Sequence, residues 1–270
     1  MLKIITDSTS EITQEEAAAL GIEVIPITIV FGENAYLEGV ELKKDEFYTR
    51  LLAGEFPHTA QPSPAQFTEA YERTNGEETL VLLISSALSG STDCARVAAR
   101  DFPNVHVYET LCTTAMLRYL VEAAAANREK TVAQVIAILD ELRPRLRLFA
   151  CVDTLEYLYK GGRVKRSVAF VGNLLGIKPI VTVTDDGRVE LIGKAHGQKR
   201  ALKALAEHYT HDQVDRDYPV YFLQTNTDVP ARRVMEATNN QAARIFRICC
   251  AVGTHIGPDA AGIVYVVKPE

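Results

Sequence analysis

Short apolar runs alternate with amphipathic segments along the first half of the chain. Residues 2–5, 79–84 and 105–108 are apolar and rich in β-branched side chains, which is typical of buried strands. Helical spacing of apolar positions follows, most clearly at residues 114–127 and 132–142. Strands that alternate with helices predict a parallel sheet covered on both faces, a three-layer α/β/α arrangement.

Two segments of this first half break the pattern. Residues 24–31 are predicted to form a strand that contains Pro26, and proline donates no backbone hydrogen bond. We therefore expect this strand to lie at a sheet edge or to carry a break. Residues 32–42 are predicted to form a loop, and a helix is predicted at 44–52.

The pattern changes at Pro144. Candidate strands follow at residues 146–152, 180–184, 189–194, 220–224, 245–251 and 262–267, with helices at 155–160, 167–175, 198–208 and 230–239. The segment Thr184-Asp-Asp-Gly-Arg188 is a hairpin signal between the second and third strands. A hairpin combined with alternating helices predicts a mixed six-stranded sheet with helices on one face. The fold class is thus α/β with two domains, residues 1–143 and 144–270.

Composition narrows the function. The chain has 270 residues, 47% of them hydrophobic and 24% charged, and its net charge of −6 argues against non-specific nucleic-acid binding. It contains neither an apolar run of transmembrane length nor a signal-peptide core at its start, so we expect a cytoplasmic protein. Five cysteines in mostly apolar surroundings predict buried free thiols. Metal-ligand spacings such as CxxC are missing, so no metal site is predicted.

A serine-rich turn is the first candidate site. Residues 85–92, SSALSGST, follow the strand at 79–84 and precede a predicted helix. The backbone N–H groups of a helix start, surrounded by small hydroxyl side chains, favour an anionic group. The alternative is that Ser89 or Ser91 only caps the helix.

A stiff turn is the second candidate. In His58-Thr-Ala-Gln-Pro-Ser-Pro64, Ser63 is suited to be a helix N-cap, with Pro64 at the first helical position. Proline restricts the backbone, so this turn could hold Thr59 and Gln61 towards a ligand. The alternative is an ordinary helix entry.

Two further segments carry a histidine and an arginine. Residues 253–258 are predicted to form a turn between two strands, from which His255 could donate to a protonated carboxyl group. The alternative is a loop histidine exposed to water. In Tyr157-Leu-Tyr-Lys-Gly-Gly-Arg163, the glycines leave the Arg163 guanidinium accessible to phosphate or carboxylate. Its alternative is a solvated helix end, where Lys160 satisfies the terminal carbonyl groups.

Six motifs, in order along the chain, resemble those of the DegV family of bacterial fatty-acid-binding proteins. They are TDSTSEIT at 6–13, TAQPSPAQF at 59–67, ISSALSGST at 84–92, DTLEYLYKGGRV at 153–164, LLGIKPIVTVTDDG at 174–187 and GTHIGPDA at 253–260. The resemblance runs nearly end to end. It implies two α/β domains with the ligand bound between them, where small-molecule sites often lie.

The resemblance also implies a function. Several family members are the acyl-carrying subunit of a fatty acid kinase: they bind a long-chain fatty acid, shield its tail and present its carboxyl group to a separate ATP-dependent kinase subunit. The chain would then be a lipid-binding protein that is not itself an enzyme, with no cofactor and with transient membrane contact. The resulting acyl phosphate would feed phospholipid synthesis.

By the same resemblance, the carboxyl group is bound by Thr59, Ser89, Gly90 and His255. Arg163 is expected to face the kinase partner or the acyl phosphate. The family's second hydroxyl after Thr59 is replaced here by Ala60, which removes one polar contact. His196 stands where the family usually has arginine, so a charge role at that position does not carry over.

An enzymatic alternative is a serine hydrolase. Ser89 could be its nucleophile, His255 its base and Asp7 its orienting acid. However, Leu88-Ser89-Gly90 lacks the leading glycine of the G-x-S-x-G elbow. The sequence also contains no P-loop motif for binding ATP. The carrier function is therefore favoured.

Overall fold

The computed structural model describes residues 1–165 and 176–269, which form two compact units. Unit 1 comprises Met1–Lys43, Thr59–Pro144 and Asp185–Gly187, and unit 2 comprises Lys44–His58, Arg145–Thr184 and Arg188–Glu270. The segments 44–58 and 185–187 thus group with the unit formed mainly by the other half of the chain. The predicted domains 1–143 and 144–270 stay a prediction.

The strands and helices of the described residues are labelled in chain order. They are β1 Lys3–Asp7, α1 Gln14–Leu20, β2 Glu23–Ile25, β3 Thr28–Phe31, β4 Asn34–Leu37, α2 Lys44–Leu52, β5 His58–Ala60, α3 Pro64–Glu72, β6 Thr79–Leu82, α4 Ser91–Ala98, β7 Val105–Tyr108, α5 Thr114–Ala126, α6 Val132–Leu142, β8 Leu146–Cys151, α7 Glu156–Lys160, β9 Ile177–Val183, β10 Val189–His196, α8 Gln198–His211, β11 Tyr221–Gln224, α9 Val229–Ala237, β12 Arg244–Arg247, α10 Cys250–Ile256 and β13 Ala261–Val266.

Four parallel strands form the central sheet of unit 1, in the order β2-β1-β6-β7. Side chains alternate between the two faces of a strand, so Ile5 and Val81 lie on one face and pack against Phe67 of α3 and Ala95 of α4. Helix α5 packs on β1 and β6 and is itself covered by α6. The predicted parallel sheet with helices on both faces is confirmed.

The segment around Pro26 shows the predicted break. The apolar run at 24–31 forms two strands, with β2 at the edge of the parallel sheet and β3 in a small sheet of order β4-β3-β5. The loop predicted at 32–42 is partly wrong, because β4 pairs with β3 through a tight turn at Gly32 and Glu33. Strand β4 is half-exposed and its sequence is not an apolar run, so the pattern did not reveal it.

Six strands form the sheet of unit 2, in the order β10-β9-β8-β13-β11-β12. Strands β11 and β12 run parallel, and the other neighbouring pairs run antiparallel. Helices α8 and α9 bury Leu205 and Val234 against Phe222 and Ile263 of the sheet. The predicted mixed sheet and its β9–β10 hairpin are confirmed. The helix predicted at 167–175 lies outside the described residues.

One prediction near the end of the chain is wrong. The strand predicted at 245–251 stops at Arg247, and residues 253–258 are not a turn between strands, because α10 begins at Cys250. The Sγ of Cys249 accepts the Val252 N–H at 3.4 Å, and Gly257, with φ of 82°, ends the helix. A short apolar run such as this one fits either a strand or a helix. His255 therefore lies in the last turn of α10.

Gly253 has a packing role in this helix. A Cβ atom there would lie 2.6 Å from the Tyr48 hydroxyl and 2.9 Å from Phe47, both in α2. The glycine thus permits close approach of two helices of unit 2, rather than a bend of the chain.

The cysteines and the hydropathy of the helices bear on two predictions made from the composition. Four of the five cysteines are buried thiols, and Cys94 is partly exposed. Burial raises the pKa of the Cys112 thiol to about 12 and that of Cys151 to about 11. Among the described helices, none is both long and apolar enough to cross a membrane.

Candidate functional site

Asp7 organises the loops at the carboxyl end of the parallel sheet in unit 1. Its carboxylate is fully buried and accepts the N–H groups of Thr9 at 3.0 Å and Ile84 at 3.1 Å, as well as the Thr9 hydroxyl. Burial raises the pKa of Asp7, and these hydrogen bonds oppose that effect. Since both carboxylate oxygens bind neighbouring loops, Asp7 has a structural role.

Ser85 shapes the serine turn that follows β6. Its side chain is fully buried, and its Oγ donates to the Gly187 carbonyl at 2.9 Å and accepts the Ala87 N–H at 3.2 Å. Its carbonyl oxygen accepts the N–H groups of Leu88 at 2.9 Å and Ser89 at 3.1 Å. The Ser85 N–H also donates to the Cys112 carbonyl at 2.8 Å. These hydrogen bonds fix the backbone that leads to Ser89.

Ser89 and Gly90 lie at the start of α4. The Ser89 Oγ is half-buried, lies 2.9 Å from the Ser91 Oγ and accepts the Ser91 N–H at 3.3 Å. The capping alternative is wrong in its strict form, because the N-cap of α4 is Gly90 and no side chain of the described residues caps the helix; Ser89, one residue earlier, only accepts the Ser91 N–H. A hydroxyl accepts up to two hydrogen bonds and donates one, so this role is compatible with ligand binding.

The Pro-rich turn lies against the serine turn within unit 1. As predicted, Ser63 is the N-cap of α3, with Pro64 following it. The Gln61 amide packs on Gly90 so closely that a Cβ atom there would lie 2.5 Å from Gln61 Oε1. Gln61 Nε2 donates to Cys94 Sγ at 3.3 Å. Thr59, two residues before Gln61, is half-buried in β5.

His255 is held by a glycine within unit 2. Its imidazole lies directly against the backbone of Gly161, where a Cβ atom would overlap Nδ1 and lie 2.8 Å from Cε1. Gly161 follows α7 with ordinary helical dihedral angles, φ −76° and ψ −8°. The glycine is therefore needed for the approach of the ring and not for its backbone conformation.

The electrostatic environment keeps His255 neutral. Burial is the main cause that lowers its pKa from 6.5 to about 3, and the electrostatic effects of Arg163 and His58 contribute. At neutral pH this imidazole can donate one hydrogen bond and accept another. Its basicity is far below that of an efficient general base, whose pKa lies near the working pH. This argues against a hydrolase that would use His255 to activate Ser89.

Arg163 is half-buried and not a fully solvated cation. Its guanidinium donates to the Gly161 carbonyl, and burial lowers the pKa of Arg163. Its guanidinium and the His255 imidazole both contact Gly161, which places both side chains in one region of unit 2. Contact of Arg163 with a partner or a phosphate stays a prediction.

The sequence did not single out an aromatic stack that supports this region. The rings of Phe56 and Tyr157 stack with centroids 5.1 Å apart, and Lys160 Nζ lies 3.7 Å from the Phe56 centroid. Tyr157 also packs on Gly257, where a Cβ atom would lie 2.6 Å from its ring. Lys160 also pairs with Glu156 at 2.7 Å. Tyr157 lies in the YLYKGGR motif, which drew attention to this segment, whereas Phe56 lies in no motif and could not be found from the sequence.

The predicted site residues therefore fall into two sets. Thr59, Ser89 and Gly90 belong to unit 1, and His255 and Arg163 belong to unit 2. Their convergence on one carboxyl group stays a prediction. In the part of the chain that the structure describes, no cluster of three or more His, Cys, Asp or Glu side chains could hold a metal ion.

Comparison with known proteins identifies the family. A family model described as an uncharacterised protein of the DegV family matches residues 1–268. A DegV domain-containing protein from Deinococcus radiodurans is 36% identical over 273 residues, which cover 97% of each chain.

Two solved structures are similar over nearly their whole length. One is a DegV family protein from Thermus thermophilus described as binding fatty acid, with 28% identity, a TM-score of 0.88, and coverage of 98% of this chain and 99% of that one. The other is DegV from Bacillus subtilis, described as a fatty acid binding protein, with 26% identity, a TM-score of 0.85 and coverage of 99% of each chain. On the match of the family model across the sequence, with these relatives, the chain belongs to the DegV family.

Proposed function

We propose that this protein binds one long-chain fatty acid, with Thr59, Ser89, Gly90 and His255 at the carboxyl group. The observation that carries the proposal is the similarity, over 98% of the chain and at a TM-score of 0.88, to the fatty-acid-binding protein from Thermus thermophilus. The Bacillus subtilis fatty acid binding protein supports the same ligand class.

The chemistry of the proposed residues fits a carboxyl ligand. Hydroxyl groups at Thr59 and Ser89 can donate to either carboxyl oxygen. A neutral His255 imidazole can donate to a carboxylate or accept from a protonated carboxyl group. Shielding of the tail would supply most of the affinity, because each buried methylene contributes roughly 0.8 kcal/mol. A sixteen-carbon tail would gain on the order of 10 kcal/mol before ordering costs.

A titration tests the head-group assignment. Delipidated protein is titrated with palmitate, and Ser89→Ala and His255→Gln should each weaken binding by about 1–2 kcal/mol, the usual scale for a lost hydrogen bond to a charged group. Ser86→Ala is the matched control, since Ser86 lies in the same turn with an exposed side chain. Palmitate affinities of Ser89→Ala and His255→Gln that match those of the unaltered protein and of Ser86→Ala would show that Ser89 and His255 do not bind the carboxyl group.

The second part of the proposal is presentation of the carboxyl group to a separate ATP-dependent kinase subunit, as the family resemblance implies. Arg163 would bind the acyl phosphate or a carboxylate of the partner, because a guanidinium offers two parallel hydrogen bonds to such groups. Its contact with Gly161, against which His255 also packs, supports this role.

A reconstituted kinase reaction tests Arg163. Arg163→Ala should keep palmitate affinity but strongly reduce acyl phosphate formation, and Arg163→Lys should rescue it only in part, since an ammonium lacks the planar fork. Lys165→Ala, at an exposed neighbouring cation, is the control. Weaker palmitate binding with normal turnover of the bound lipid would place Arg163 at the carboxyl group instead.

A further inference from the structure

The tip of the β9–β10 hairpin, Asp185–Gly187, belongs to unit 1 and lies against the serine turn. The Gly187 carbonyl accepts a hydrogen bond of 2.9 Å from the buried Ser85 Oγ. A Cβ atom at Gly187 would overlap Ser85 Oγ and lie 3.0 Å from both Ser85 Cβ and Leu111 Cα. Gly187 therefore contacts the loops that follow β6 and β7 of the parallel sheet.

Two independent constraints require glycine at this position. The loop is closed by Thr184, whose N–H donates to the Arg188 carbonyl at 2.9 Å, and Gly187 has a φ of 76°, which non-glycine residues adopt rarely. Turn chemistry explains the positive φ. It does not explain the close approach to Ser85 and Leu111, because other glycines with positive φ have open space around them.

The contact fixes the conformation of the serine turn. With its hydroxyl hydrogen directed to Gly187, Ser85 Oγ presents a lone pair to the Ala87 N–H, 3.2 Å away. The Ser85 carbonyl accepts the N–H groups of Leu88 and Ser89. Displacement of Ser85 would therefore move the backbone that carries Ser89.

We propose that Gly187 is a positioning residue for the fatty acid carboxyl site: it holds Ser85, and through Ser85 the turn that places Ser89. The inference rests on the proposed function for its ligand. The effect of the hairpin tip on the ligand passes through the serine turn.

A pair of glycine substitutions separates positioning from backbone strain. Gly187→Ala and Gly76→Ala both introduce a Cβ atom at a φ of 76° in unit 1, but Gly76 has no atom within 4 Å of that position. Gly187→Ala should weaken palmitate binding about tenfold, the scale of one or more lost hydrogen bonds to the ligand. Gly76→Ala should bind palmitate as the unaltered protein does.

Amide hydrogen exchange measures the local stability of the serine turn without any ligand. In Gly187→Ala, the Leu88 and Ser89 amides should exchange faster than in the unaltered protein. In Gly76→Ala, their exchange rates should not change when they are compared with those of other amides in the parallel sheet. Ser85→Ala is a milder second variant, which removes the hydroxyl and keeps the glycine. It should change exchange at the same two amides and weaken palmitate binding about fivefold.

The outcomes distinguish the two proposals. If the unaltered protein does not bind palmitate, the proposed function fails, and the exchange arm still tests the role of Gly187. Unchanged exchange at Leu88 and Ser89 in both Gly187→Ala and Ser85→Ala overturns the positioning role. So does palmitate affinity that falls equally in Gly187→Ala and Gly76→Ala.

Discussion

Substitution of Gly161 by alanine tests how the position of His255 governs ligand binding. The new Cβ atom would overlap the imidazole Nδ1 and lie 2.8 Å from Cε1 and 3.1 Å from the Tyr157 carbonyl. Relief of that overlap requires the ring to move by roughly 1.5 Å, since non-bonded heavy atoms prefer about 3.5 Å or more. A rotation of about 30° away from a rotamer costs about 0.5–1.5 kcal/mol, and overpacking of a buried site costs about 1–3 kcal/mol.

The expected result is a loss of affinity together with a modest loss of stability. Gly161→Ala should weaken palmitate binding by about 1–2 kcal/mol, because a displaced imidazole loses the proposed hydrogen bond to the carboxyl group. The free energy of unfolding, measured by urea denaturation, should fall by about 1 kcal/mol or more.

The neighbouring glycine provides a matched control. Gly162 has a φ of 76° and open space around its Cβ position, whereas Gly161 has helical dihedral angles. Gly162→Ala should therefore cost about 1 kcal/mol of stability through backbone strain, and it should leave palmitate affinity unchanged.

Gly161→Ala and Gly162→Ala are expected to differ mainly in palmitate affinity, and stability measurements can contradict the reasoning. Without the contact to His255, alanine at position 161 would stabilise the protein by about 0.4–1 kcal/mol, because it restricts the unfolded chain. A more stable Gly161→Ala variant with full palmitate affinity would show that the ring is not held as described.

Three further predictions concern His255, Ser89 and Asp7. Because the pKa of His255 is lowered from 6.5 to about 3, the unfolded state binds a proton that the folded state does not; the free energy of unfolding should fall as pH decreases from about 6.5 towards 3, and His255→Gln should reduce that slope. An imidazole of such low basicity should not activate a serine, so hydrolysis of p-nitrophenyl esters should be no faster in the unaltered protein than in Ser89→Ala; turnover lost in that variant would revive the hydrolase. Asp7→Ala should lower the free energy of unfolding by about 2–4 kcal/mol, because the buried N–H groups of Thr9 and Ile84 lose their acceptor; denaturation curves that coincide with those of the unaltered protein would contradict its structural role.

The sequence predicted much of the fold because its strands are short apolar runs between clear turn signals. The Thr184–Arg188 hairpin and the break at Pro26 have local causes, so local patterns reveal them. The α10 helix was missed because its start, Ile248-Cys-Cys-Ala251, is apolar without a period that separates a helix from a strand.

The site was predictable only in part, for a similar reason. Motifs singled out Ser89, Thr59 and His255, whose residue types suggest carboxyl chemistry. The low pKa of His255 and its packing on Gly161 depend on contacts between residues far apart in the sequence. The role of Gly187 likewise depends on Ser85, 102 positions earlier, so the turn pattern around Gly187 indicates only a hairpin.

Native mass spectrometry of the intact protein, purified from cells without delipidation, tests the central claim most directly. We predict one adduct per chain with the mass of a long-chain fatty acid, which is lost on denaturation and restored by palmitate after delipidation. A chain that carries no adduct, takes up no palmitate and hydrolyses esters in a Ser89-dependent manner would contradict the account.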